Sequence, residues 1–110
     1  MRNFIHINPK NLEEASDLLK EGRTRLLAGG TDLLGELKDE VLPEYPERIV
    51  NLKSIPGLCH IREEEDGLHI GALVPLREIA QSPLVQNVCP AAAQAAASVA
   101  SPLIRNSATL

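Results

Sequence analysis

Residues 25–38 read RLLAGGTDLLGELK. A short apolar run ends in two glycines, and a leucine-rich helical pattern begins directly after them. Thr24 to Ala28 has the composition of a strand. Leu33, Leu34 and Leu37 recur at helical spacing, with Thr31 expected as the helix N-cap. Glycines at such a turn permit a tight reversal. They also leave the main chain bare, so that an anion can approach consecutive N–H groups. Taken alone, the turn leaves both readings open. Its spacing is neither GxGxxG nor GxxxxGK[ST], it holds no lysine, and Asp32 would repel an anion unless it points away or binds a hydroxyl or amide.

The chemistry upstream and downstream frames this turn. FIHI, residues 4–7, alternates as a strand and leads into Asn8-Pro9. Asn11 is placed to cap a helix carrying Leu12, Ala15, Leu18 and Leu19, which Gly22 ends. Lys38 to Pro46 is a charged, proline-bracketed loop, and RIVNL (48–52) is a third strand. A β-α-β-α-β order with such crossovers suits parallel strands. Beyond Lys53, SIPGL is a connector. LCHIREEEDGLHIGALV is a predicted hairpin, with Asp66-Gly67 supplying the positive φ of a type I′ turn. Pro75, Pro83 and Pro90 each open a helix. The last of these, alanine-rich to about Ala100, is expected to pack centrally. An apolar strand is expected to start within SPLIRNSATL, with no cap or polar tail, so the chain is expected to be a fragment: experimental, proteolytic or a truncated gene product.

Composition excludes several functions. The chain of 110 residues is 44% hydrophobic and 24% charged, with net charge −4, which is ordinary for a globular chain. A phosphate-backbone binder needs a basic surplus, and Phe4 and Tyr45 are the only aromatics, so nucleic acid is not an expected partner. No signal-like apolar run follows the N-terminus, and Cys89 to Ile104 is too short and interrupted to span a bilayer. The expected location is the cytoplasm, with Cys59 and Cys89 as small buried thiols. Glu63-Glu64-Glu65-Asp66 is expected to be a solvated hairpin tip rather than a metal site. His6, His60 and His69 are expected on strands, half-exposed, and no metal ligand is assigned.

The order LLAGGTDLL, RIVNLKSIPGL, HIGALVPLREIA, PAAAQAAASVASPLIRNSATL resembles the flavin subunit of the molybdenum hydroxylases, the family of xanthine dehydrogenase and carbon monoxide dehydrogenase. The resemblance covers essentially the whole chain. It implies an α/β (α+β) fold of the vanillyl-alcohol oxidase/PCMH type, with FAD between two subdomains. The first would be complete over residues 1–53. The second would start at 54–110 and stop before its glycine loop.

By resemblance, Ala28, Gly29, Gly30, Thr31 and Asp32, flanked by Leu27 and Leu33, bind the FAD pyrophosphate through backbone amides. Ala108, Thr109 and Leu110 match the start of a second loop, usually ATIGGN, whose glycines and asparagine are absent. No histidine or cysteine in the first loop could tether flavin, so FAD is expected to be non-covalent. Whether the fragment retains FAD is left open. No catalytic side chain is assigned. Molybdopterin and [2Fe–2S] centres would reside on partner subunits, a molybdenum-binding large one and an iron–sulfur small one. Electrons would pass from [2Fe–2S] through FAD to NAD, a quinone or another acceptor. Arg105 matches an arginine common just before the second loop, as an ion pair or an FAD contact. Two other readings stay open: an assembly module without flavin, self-association included, or part of a standalone flavin oxidase of the same fold.

Overall fold

The computed structural model describes residues 2–110, and the chain divides into two compact units, residues 1–56 and 57–110. In the first, β1 (Ile5–Ile7), α1 (Leu12–Leu19), β2 (Thr24–Leu27), α2 (Leu33–Asp39) and β3 (Arg48–Asn51) follow in order. A 3-10 turn, Leu52–Ser54, ends it. The sheet order is β1-β3-β2 and both pairings are parallel.

Register explains the burial. His6, Ile49 and Arg25 stand opposite one another, as do Ile7, Val50 and Leu26, so these two rows point to opposite faces. The chain runs from β1 to β2 and back to β3. Right-handed crossovers therefore set α1 and α2 on opposite sides of the sheet. An ion pair from Arg25 to Glu36 at 3.8 Å identifies the α2 side. The central strand is thus covered on both faces, and Ile49 and Val50 are 1% and 0% exposed.

Asn11 caps α1 as expected, its side-chain oxygen accepting from the Glu14 N–H at 2.8 Å. Thr31 does not cap α2. Asp32 occupies that position with no side-chain bond to the helix. Instead, the Gly30 carbonyl accepts from Leu34 N–H at 3.1 Å. The backbone turns at Gly30, with φ +78°, and the helix follows with Asp32, not Thr31, at its N-cap.

The second unit holds β4 (Ile61–Glu64) and β5 (Gly67–Ile70), an antiparallel pair, then α3 (Leu76–Gln81), α4 (Pro83–Val88), α5 (Pro90–Ser98) and α6 (Pro102–Arg105). Its core is Val74, Ile79, Val85, Ala93 and Ala96, with Ile61, Leu68 and Ile70 of the hairpin packed against it. Glu64 pairs with Gly67, so the two loop residues are Glu65 and Asp66, and neither has positive φ. The turn is not type I′. The strained glycine has moved into the strand position, Gly67.

Four further expectations fail. Residues 102–105 form a helix rather than a strand. Ser101 accepts from Ile104 N–H at 3.3 Å and Pro102 occupies the first helical position, the pattern that also starts α4 at Ser82-Pro83. Helix α5 is not enclosed. Alanine supplies helix propensity without needing burial, so one edge, Ala93 and Ala96, packs while most of its other positions are exposed. Both cysteines are exposed free thiols, and Cys59 donates to the Leu73 carbonyl at 3.4 Å. His60 lies just before β4, outside it.

Two glycines separate packing from propensity. A Cβ on Gly71 would stand 2.1 Å from the Leu58 carbonyl oxygen, whereas a Cβ on Gly35, inside α2, meets nothing within 4 Å. Gly71→Ala should force the Leu58–Cys59 backbone aside and destabilise by about 2 kcal/mol or more. Gly35→Ala should stabilise by roughly 0.5–1 kcal/mol. Urea denaturation of both variants checks the opposite signs.

Candidate functional site

Three parallel strands deliver their carboxyl ends to one edge of the first unit's sheet. Ligands of open α/β sheets bind outside such an edge. Here it carries Asn8-Pro9 after β1, Ala28 to Asp32 after β2, and Asn51, the last residue of β3, with Leu52 to Ser54 after it. Side-chain bonds tie these segments together. Asn51 donates to the Asn8 side-chain oxygen at 2.9 Å, and Ser54 Oγ donates to the Pro9 carbonyl at 2.6 Å. Lys53 Nζ donates to the Ala28 carbonyl at 2.7 Å.

That last contact changes the electrostatics of the glycine turn. The turn contains no lysine, but the neighbouring strand brings an ammonium to its first residue. Sequence reasoning missed Lys53 because it searched the turn alone. The usable signal was topological: in a parallel pair, the segment that leaves β3 falls beside the loop that leaves β2.

Within the first unit, the backbone N–H groups of Gly29, Gly30, Thr31 and Asp32 donate to no acceptor. Leu27 to Gly30 and Leu33 are half-buried, while Thr31 and Asp32 are exposed. Unspent amides on a bare, partly sheltered turn are the donor set an anionic group needs. Gly30 itself is constrained from below. An added Cβ would lie 2.8 Å from Leu34 Cδ1 and 3.2 Å from Leu27 Cδ1, so its bareness serves packing and positive φ. These residues fit the phosphates of a flavin dinucleotide: open amides, one adjacent cation, and no side chain over the turn at the glycines.

In the second unit, Ala108 is buried, its N–H donates to Ile104 and its carbonyl accepts from Leu76 N–H, both at 2.8 Å. Thr109 forms an isolated antiparallel bridge with Pro75, and Leu110 is exposed. Ala108 thus anchors the segment, and only Thr109 and Leu110 lie free of its core. Arg105 forms no ion pair among the described residues. It donates to the Val99 and Ala100 carbonyls at 2.7 and 3.3 Å.

The hairpin tip brings Glu64, Asp66 and His69 within 4.8 Å of one another. Its charges are matched internally: Arg62 Nε lies 2.6 Å from Glu64, and His69 Nε2 lies 2.7 Å from Asp66 and 3.4 Å from Glu64.

The chain superposes on the carbon monoxide dehydrogenase of Hydrogenophaga pseudoflava lacking the Mo-pyranopterin moiety, with TM-score 0.89 and 36% identity over 98% of this chain and 38% of that one. It also superposes on quinoline 2-oxidoreductase from Pseudomonas putida 86, with TM-score 0.86 and 28% identity, over 98% and 38%. Its mixed α/β fold is therefore that of a chain found in oxidoreductases. The family described as the FAD binding domain in molybdopterin dehydrogenase matches residues 2–110, and the chain belongs to it. Among curated relatives, the nicotinate dehydrogenase FAD-subunit of Eubacterium barkeri is 39% identical over 100% of this chain and 38% of its own length. The carbon monoxide dehydrogenase medium chain of H. pseudoflava is 38% identical over 97% and 37%. The chain thus spans under two-fifths of these relatives. No described helix is long and apolar enough to cross a membrane.

The hydrogen bond from His69, foremost, lowers the Asp66 pKa from its ordinary value of 3.8. Asp66 then stays ionised to lower pH, and whatever this pair adds to stability is present above pH 3.8 and lost as pH falls through the depressed value. In a carboxyl-carbon NMR titration, Asp66 should show a midpoint below 3.8, and His69→Ala should return it upward.

Proposed function

We propose that this chain is the FAD-binding part of the flavin subunit of a molybdenum hydroxylase, and that Leu27 to Leu33 bind the FAD pyrophosphate. The observation that carries the reading is the edge of the parallel sheet, where the Gly29 to Asp32 amides are unspent and Lys53 stands at the Ala28 carbonyl. Membership of the FAD-binding family over residues 2–110 supports it.

Each residue then has a distinct part. The amides of Gly29 to Asp32 donate to phosphate oxygens. Gly30 holds the turn at positive φ. Lys53 offsets the diphosphate charge and, through Ala28, fixes the loop to the end of β3. Leu27 and Leu33 flank the loop. Thr109 and Leu110 begin the second loop, held in register by Ala108.

FAD, when bound, supplies the electron-transfer chemistry, and the protein supplies position and electrostatics. In the assembled enzyme, electrons would come from [2Fe–2S] centres on a small subunit. They would leave to NAD, a quinone or another acceptor, while a large subunit carries molybdopterin. Binding is non-covalent, since residues 27–33 contain no histidine or cysteine. The compartment is the cytoplasm.

The chain is mixed with FAD, desalted, and read by flavin absorbance and fluorescence quenching. Retained flavin is expected. Gly29→Val should weaken it at least tenfold with an unchanged melting temperature. Lys53→Gln should weaken it several-fold and flatten its salt dependence. Complete loss of flavin from the unsubstituted chain would favour an assembly module, and normal flavin content in a stably folded Gly29→Val would remove the pyrophosphate assignment.

A further inference from the structure

Seven arginines occur in the sequence. Five of them, Arg2, Arg23, Arg25, Arg48 and Arg62, each stand within 4.0 Å of a carboxylate. The other two, Arg77 and Arg105, have no carboxylate partner within the second unit, and both line the same cavity of about 600 Å³. Its remaining polar lining is Gln81 and Asn106, with Ala80 and Pro102 among its apolar walls, and no acidic residue lines it. Glu78 instead lines a second cavity, which shares Arg77, Gln81 and Asn106 with the first.

The two guanidiniums are differently held. Arg105 is half-buried and clamped by the Val99 and Ala100 carbonyls. Ala100 has φ +45°, an unusual conformation for alanine, and the clamp engages the carbonyl of that very residue. Carbonyl oxygens satisfy donors without cancelling a full charge, and a guanidinium carries five donors in a rigid fork. Arg77 is exposed and makes only a long bond, 3.5 Å, to the Asn106 side-chain oxygen. One clamped and one loosely bonded guanidinium on a cavity wall are suited to an oxyanion, which arginine binds through paired N–H groups. Surface arginines whose charge is spent elsewhere lie against carboxylates in this protein; these two do not.

We propose that this cavity binds the oxyanion of a small molecule, a phosphate or a carboxylate, between Arg77 and Arg105. The remainder of the ligand lies along Ala80 and Pro102. The volume falls within the usual 300–1,000 Å³ of small-molecule sites. The site goes beyond the flavin reading: none of its residues belongs to either proposed flavin loop.

The test follows the arginine Nε–Hε resonances of the full chain during titration with inorganic phosphate and, separately, succinate at constant ionic strength. Saturable shifts of Arg77 and Arg105, with Arg62 unmoved, are expected for at least one anion, and which anion saturates identifies the group. Arg77→Gln should weaken that binding at least tenfold and Arg77→Lys by less, each with an unchanged far-UV spectrum. Among the described residues the Arg77 side chain makes no hydrogen bond to backbone, and the Val99–Ala100 clamp belongs to Arg105. The proposal is overturned if neither anion gives saturable shifts, if Arg62 moves equally, or if Arg77→Gln binds as the parent does. Repeating the titration with excess FAD separates the two sites. Undiminished anion binding supports an independent site, and displacement by FAD overturns it. A chain that retains no flavin fails the flavin reading but leaves the phosphate and succinate titrations readable.

Discussion

The parallel pairing of β3 with both β1 and β2 is the constraint on which the first unit depends. It buries Ile49 and Val50 from both faces, and it aligns three strand ends at one edge. Without that alignment, Lys53 would not reach Ala28, Ser54 would not reach Pro9, and Asn51 would not reach Asn8. The site is therefore a by-product of sheet register. A one-residue slip of β3 would turn Ile49 and Val50 to the wrong faces and would carry Lys53 away from the turn together with them. Core packing and the placement of Lys53 at the glycine turn are enforced by the same pairing.

What could be read from sequence follows the range of the interaction. Local signals were legible. Asn11 caps α1 and Ser82-Pro83 opens α4, since each cap is satisfied within three residues. The glycine turn was legible as a turn, and the ordered motifs carried the family resemblance. Lys53 at Ala28 was not legible, because the contact joins residues 25 apart through a sheet whose order is non-sequential. Arg77 and Arg105 lie on α3 and α6, 28 positions apart in the chain, so their meeting on one cavity depends on helix packing that no local pattern shows. Two misreadings were local and avoidable. Ser101-Pro102 carries the same start signal as Ser82-Pro83, but the apolar Leu103-Ile104 suggested a strand. Thr31 was chosen as a cap by residue type, whereas Gly30 sets where the helix begins.

The same turn shows how packing and binding divide two adjacent glycines. Gly30 is required by the protein itself: its φ is +78°, and Leu34 and Leu27 lie against the space a side chain would take. A loss of flavin in a Gly30 variant would thus conflate folding with binding. Gly29 lacks positive φ among the described residues, so its bareness has no such backbone reason. The pyrophosphate assignment is best probed there, and Gly30 contributes by holding the amide row in place.

Size gives the ligand sites a second consequence. Each unit is about 55 residues, a scale at which burial yields a marginal net stability. The second unit's buried core includes two alanines among its five members, so each position contributes little apolar area. A ligand that binds only the folded state stabilises it by RT ln(1 + [L]/Kd), about 2.7 kcal/mol at a hundredfold excess over Kd. That is a large fraction of what so small a core supplies. An anion seated between Arg77 and Arg105 would bridge α3 to α6 (Pro102–Arg105), on which the order of Ala108 depends through Ile104. An anion held there would add a link between α3 and α6 beside the two backbone hydrogen bonds of Ala108, so binding at that cavity should raise the stability of this unit.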